Sequence, residues 1–146
     1  MTRAVRSPGS TLKPFIYAMA YEAGLAHPET LIEDRPSRFG TYAPANFDRG
    51  YQGTVPTRVA LQMSLNVPAV ALLEAVGPQR FFSRLEQAGI RPQLPRGEVP
   101  GLAVGLGGVG LRLADLAALY AGLARGGEMP ALVERLGAPQ TSGRPV

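Results

Sequence analysis

Ser10 and Lys13 are the residues of this chain best placed to do chemistry together, within Ser7-Pro8-Gly9-Ser10-Thr11-Leu12-Lys13-Pro14-Phe15-Ile16-Tyr17-Ala18-Met19. Residues three apart share one face of a helix, so the two side chains can meet. A serine hydroxyl is a weak nucleophile until a neighbouring base takes its proton. A lysine can be that base if burial lowers its pKa enough to free the amine. The alternative is a serine that caps a helix beside a solvated lysine. A Ser-x-x-Lys pair arises by chance roughly once in a couple of hundred residues, so spacing alone does not separate the two. Lys13, however, is the only lysine; every other basic side chain among the 15 Lys and Arg residues is arginine. Arginine keeps its proton at accessible pH. A single lysine one turn from a serine suggests a position that uses a deprotonatable amine, and the capping alternative stands beside it.

The elements around this pair read as mainly helical. Residues 10–23 form the first helix, with Phe15, Met19 and Ala23 at helical spacing. Pro14 fits if Ser10 is the N-cap, where only the bond back to the Ser10 carbonyl is lost. A serine at a helix mouth sits where developing negative charge is favoured. Gly24 closes the helix. Residues 26–58 read as a long excursion with little regular structure, broken by Pro28, Pro36, Pro44 and Pro56. Its aromatics Phe39, Tyr42, Phe47 and Tyr51 point to a pinned surface loop or a functional cover. Helical pattern resumes over Thr57–Ser64. Pro68 disfavours helix at Val67, so Ser64-Leu65-Asn66 falls at a break between two helices, where side chains and backbone groups are exposed together. The plain reading is that Ser64 ends one helix and Asn66 caps the next, over 69–76. Another helix spans 79–88 with Phe81, Phe82 and Leu85 inward. A Pro-rich connection covers 90–104, and a last helix runs from about Leu113 to Arg125 with Leu116, Leu119, Tyr120 and Leu123 as its apolar stripe. Ala131-Leu132-Val133 then leads into a polar tail.

Gly105-Leu106-Gly107-Gly108-Val109-Gly110 matches the dinucleotide-binding pattern Gly-x-Gly-x-x-Gly. That pattern needs a preceding strand and a βαβ unit, and Val99-Pro100-Gly101 is a poor strand. These glycines read instead as places where backbone approaches something closely.

Bulk properties exclude several classes. The 146 residues make one domain at most, and 45% apolar content suffices for one core. With no cysteine there is no thiolate metal site, and with only His27, set in a turn before Pro28, there is little material for a His-based metal site or a Ser-His-Asp triad. The net charge of +4 comes from scattered arginines without tryptophan, which argues against nucleic acid. No stretch approaches the ~20 apolar residues of a membrane span, and no apolar core follows the first residues as in a signal peptide.

Together the segments resemble a known family. Arg6-Ser-Pro-Gly-Ser10-Thr-Leu-Lys13-Pro-Phe15-Ile-Tyr resembles the first active-site motif of the transpeptidase domain in class A penicillin-binding proteins, and Ser64-Leu65-Asn66 matches the second, Ser-x-Asn. Tyr42-Ala-Pro44-Ala-Asn46-Phe-Asp48 with Tyr51-Gln-Gly53 resembles the loop between those motifs. Leu106-Gly-Gly108, Leu113-Ala-Asp-Leu-Ala, Tyr120 and Gly126-Gly127 resemble the family's later helix. The resemblance covers roughly residues 3–130 and implies the helical part of an α/β DD-peptidase/β-lactamase-like fold, its sheet largely missing, with residues 131–146 as a poorly ordered tail. It implies that Ser10 attacks the D-Ala-D-Ala bond of a peptidoglycan stem peptide, that Lys13 deprotonates it, and that Ser64 relays a proton to the leaving group. Asn66 would hold Lys13 and the substrate amide. Stem peptides and β-lactams are the implied partners, the cell envelope is the implied location, and neither metal nor organic cofactor is needed. The family's third motif, Lys-Thr-Gly, is absent, since Lys13 is the only lysine. The chain therefore reads as a fragment of such a domain, without the upstream glycosyltransferase domain and membrane anchor. The competing reading is a non-catalytic helical module derived from that domain.

Overall fold

The computed structural model describes residues 4–46 and 50–130, with the backbone of 144–145. Two helices form its centre. Helix α1 (Lys13–Glu22) buries Lys13, Phe15, Ile16, Tyr17 and Ala20. Helix α3 (Asn66–Val76) buries Val67, Pro68, Ala69, Val70, Leu72, Leu73 and Val76. An apolar surface around most of a helix requires burial on most sides, and α3 lies against α1, with α2 (Thr57–Gln62) and α4 (Pro78–Gln87) beside it. Helix α4 is the amphipathic one, with Phe81, Phe82 and Leu85 in the core and Arg80 and Glu86 in solvent. Helix α5 (Leu113–Ala124) completes the set of five among the described residues. Its inner face is Asp115, Ala118, Leu119 and Gly122. The sequence stripe is half right: Leu119 is buried, whereas Tyr120 and Leu123 remain 41% and 38% exposed. The Tyr120 ring is nonetheless used, packing edge-on against Phe15 with centroids 5.3 Å apart.

Short antiparallel strands tie the ends together. Strand β1 (Val5–Arg6) pairs with β4 (Leu111–Arg112), which brings the start of α5 to the segment before Ser10. Strands β2 (Leu31–Asp34) and β3 (Gly53–Pro56) pair with Leu31 opposite Pro56 and Asp34 opposite Gly53. This hairpin corrects the reading of 26–58 as nearly structureless. Its strands have no apolar alternation because Leu31 and Glu33 face solvent while Asp34 is buried. Strand β5 (Glu128–Met129) pairs with β6 (Arg144–Pro145). The apolar piece 131–133 and most of the expected tail lie outside the described residues.

The first helix is also corrected. Residues Gly9–Leu12 form a tight 3₁₀ turn and α1 starts only at Lys13, with Leu12 in the N-cap position. Ser10 is therefore not the N-cap but lies inside the preceding turn. Gly9, at φ +55°, makes that turn possible. Pro14 then occupies the first helical turn, where its missing N–H costs nothing. The same logic places Pro68 in the first turn of α3, so that helix begins at Asn66, earlier than expected, with Leu65 rather than Asn66 as its cap.

Candidate functional site

The 3₁₀ turn that carries Ser10 is held from two sides. The Ser7 hydroxyl donates to the Gly107 carbonyl at 2.7 Å, and the Tyr120 hydroxyl donates to the Thr11 carbonyl at 2.8 Å. Gly107 has φ +97°, and a Cβ there would lie 2.5 Å from Ser7 Oγ and 2.6 Å from the Gly9 nitrogen. The glycine-rich segment thus lets backbone press on the turn that bears the serine, and Gly105 lies in a 3₁₀ turn (Leu102–Leu106), not after a strand. Gly107→Ala combines a disfavoured φ with a collision. It is expected to lower the unfolding free energy by at least ~2 kcal/mol, which urea unfolding reads directly.

Ser64 sits at the junction of α2 and α3 with φ +55°, the only non-glycine residue at positive φ among those described. Such strained backbone concentrates at functional positions. The turn directs the Ser64 carbonyl and hydroxyl toward one point, and Lys13 Nζ occupies it. The amine donates to the Ser64 carbonyl, to Ser64 Oγ at 3.1 Å and to Asn66 Oδ1 at 2.6 Å. All three protons of the ammonium are accounted for by neutral oxygens. No carboxylate pairs with it among the described residues. The side chain is 1% exposed, and this burial lowers its pKa from 10.5 to about 8.

Ser10 lines a cleft of about 630 Å³ together with Ala45, Asn46, Met63, Ser64, Leu65 and Asn66. It is exposed, and its hydroxyl has no hydrogen bond among the described residues. The four residues singled out in the sequence therefore meet at one cleft: Ser10, Ser64 and Asn66 on its wall, and Lys13 bonded to the latter two. Two residues were missed as site residues. Asn46 and Asp34 are 6% and 0% exposed. Asn46 Oδ1 accepts the Asn66 backbone N–H at 2.8 Å, and Asp34 takes the Asn46 amide on both oxygens at 2.9 Å. Asn46 stood within the Tyr42–Asp48 segment, so a signal existed; Asp34 had none. Asp48 of that segment lies outside the described residues.

A serine, a desolvated lysine and a Ser-x-Asn junction meeting on a helical scaffold define a serine–lysine class of site. The chain belongs to the family of penicillin-binding protein transpeptidase domains, whose model matches residues 1–133. It is 48% identical over 128 residues to penicillin-binding protein 1C of Escherichia coli (strain K12), an alignment covering 88% of this chain and 17% of that protein. It thus spans about a sixth of that relative's length. The solved penicillin-binding protein PonA1 of Mycobacterium tuberculosis superposes with a TM-score of 0.76 at 27% identity, over 88% of this chain and 36% of that one. The PonA1 complex with penicillin V gives a TM-score of 0.78 at 24% identity, over 99% and 39%. These likenesses agree with a helical part of the transpeptidase fold.

Proposed function

We infer that this chain carries the acylation site of a serine D,D-transpeptidase. The observation that carries the reading is Lys13 Nζ, buried and held by Ser64 and Asn66 beside the cleft that Ser10 lines. Ser10 Oγ is the nucleophile. As it bonds to the carbonyl carbon between two D-alanines, its proton passes to the free amine of Lys13. The C–N bond then breaks, Ser64 relays that proton to the departing amine of D-alanine, and an ester to Ser10 remains. The amine of a second stem peptide attacks the ester, the cross-link amide forms, and Ser10 recovers its proton. A β-lactam follows the same first step, but its leaving nitrogen stays tethered and the ester persists. Asn66 holds Lys13 through Oδ1. Its Nδ2 donates to the Ala45 carbonyl at 2.6 Å, beside the cleft where a substrate amide would lie. The site is assigned to the peptidoglycan side of the cell envelope. No helix among the described residues is long and apolar enough to cross a membrane.

Lys13 acts as base only when neutral, and with a pKa of about 8 roughly a tenth of the amine is free at pH 7. Penicillin acylation is therefore expected to accelerate as pH rises through about 8 and to level off above it. Stopped-flow or quench measurement of the rate against pH tests this. A rate flat from pH 6 to about 9 would remove Lys13 as the base.

A further inference from the structure

Asp34 is a fully buried carboxylate with no ion pair among the described residues. It accepts the Asn46 amide on both oxygens at 2.9 Å and the Gln52 N–H at 2.8 Å. A buried charge is costly even when hydrogen-bonded, so its place is best explained by what it orients. Asn46 Nδ2 faces acceptors only, the Asp34 oxygens and the Gly50 carbonyl at 2.8 Å. That fixes which way the amide points and leaves Oδ1 to receive the Asn66 N–H at 2.8 Å. This N–H is the first of α3, a donor with no partner inside its own helix. Asn66 in turn gives Nδ2 to the Ala45 carbonyl and turns Oδ1 to Lys13. The side-chain amides of Asn46 and Asn66 each have one orientation that satisfies both ends, and the Asn66 backbone N–H joins them. The series runs from the β2–β3 hairpin to the lysine.

We propose that Asp34, acting through Asn46, is a positioning residue that fixes the backbone at Asn66, the first residue of α3, and thereby holds the Lys13 amine at the cleft. The proposal rests on the acyl-transfer reading for its kinetic consequence but not for its geometry. If it holds, Asp34→Asn is disruptive although isosteric. Whichever way the new amide turns, an NH₂ stands where an oxygen lay 2.9 Å from Asn46 Nδ2. The Asn46 amide is driven to reverse, which sets its Nδ2 against the Asn66 backbone N–H and displaces the start of α3, the backbone that carries the Asn66 side chain to Lys13.

The sole lysine makes the test direct, because ¹³C-labelled lysine gives a single Cε signal whose titration reports Lys13 alone. The charged or titratable groups on the elements around this end of α1 are few. Among the described residues they are Tyr17, Tyr21 and Glu22 on α1, Asp34 and exposed Glu33 on β2, exposed Arg58 on α2, exposed Glu74 on α3, and Tyr120 on α5, which bonds the Thr11 carbonyl. In folded Asp34→Asn the Lys13 midpoint is expected to fall by at least ~0.5, because the ammonium loses an acceptor and a distant negative charge. Penicillin acylation is expected to slow at least about tenfold, despite more free amine, because the amine is misplaced. Asp34→Ser, whose shorter side chain sets no NH₂ against the Asn46 amide, is the second variant should the first not fold. It is expected to change both readouts in the same direction by less. A midpoint rising toward 10.5 would show that the site had merely loosened and let in water, and would overturn the proposal, as would unchanged midpoint and rate in a folded variant. A midpoint that falls further in Asp34→Asn than in Asp34→Ser, which loses the same charge, in a chain whose parent form takes no penicillin would uphold the positioning role and sink the acyl-transfer reading instead.

Discussion

Replacing Ser10 by alanine is expected to abolish covalent labelling by penicillin while leaving the fold intact. The two halves of that expectation come from different features. Ser10 is exposed and its hydroxyl bonds to nothing among the described residues, so removing one oxygen should change stability by no more than ~0.5 kcal/mol. The same hydroxyl is the only one on the 3₁₀ turn that lines the cleft with Ser64 and Asn66. Thr11, its neighbour, is turned away, its hydroxyl spent on the Pro8 carbonyl at 2.6 Å. Loss of labelling with an unchanged melting curve would assign the chemistry to Ser10. Undiminished labelling of the alanine variant would remove it from the mechanism.

The second large effect is at Lys13. Lys13→Arg keeps the positive charge but loses the free base, because a guanidinium does not deprotonate at accessible pH. General-base assistance is worth about 10²–10⁴ in rate, so acylation should slow at least a hundredfold and lose its rise through pH 8. The larger planar head also crowds a site fitted to an ammonium with three oxygen acceptors. Lys13→Met, of similar length and uncharged, separates the two causes. It should lose as much rate without the crowding. The pH dependence of stability distinguishes Lys13→Met from the parent chain further. The folded pKa of Lys13 lies below the unfolded value of 10.5, at about 8, so the buried ammonium weakens the fold below pH 8. The penalty, of order 3 kcal/mol, is relieved as pH rises from 8 to 10.5. Relative to Lys13→Met, the parent chain should gain stability across that window. Urea unfolding of the pair at pH 7 and pH 10 reads the difference.

Much of the site was legible because its residues are forced by chemistry. A lone lysine one turn from a serine and a Ser-x-Asn at a proline-marked helix break are local patterns, and the structure brings them to one cleft. The helices were legible for the same reason, each resting on a short-range apolar period. Boundaries were less so. Pro14 reads as lying inside a helix begun at Ser10 and Pro68 as delaying the next helix to residue 69, whereas each stands in a first turn, where proline is at home. What stayed hidden depends on distant chain segments meeting. The β2–β3 hairpin has no apolar alternation because its inward end is Asp34. The Asp34–Asn46–Asn66 series exists only once the hairpin, the following loop and α3 are folded together. Ser64 at φ +55° could not be read from its sequence neighbours, since asparagine or glycine is the usual occupant of that conformation.

Two features set the expected rate of the chain as it stands. Ser10, Lys13 and the Ser64–Asn66 junction meet at one cleft, but the sequence has no Lys-Thr-Gly. In the family that the sequence resembles, that motif completes the oxyanion hole; loss of one oxyanion donor slows such chemistry by about 10²–10³, so acylation should be slow rather than absent. The most direct test is the intact mass of the folded chain after prolonged incubation with a penicillin, followed by peptide mapping. The expected result is one added penicillin mass, located on Ser10 and accumulating faster at pH 9 than at pH 7. A folded chain that stays unmodified, or an adduct on any other residue, would contradict the assignment of Ser10 and Lys13 as a working nucleophile and base.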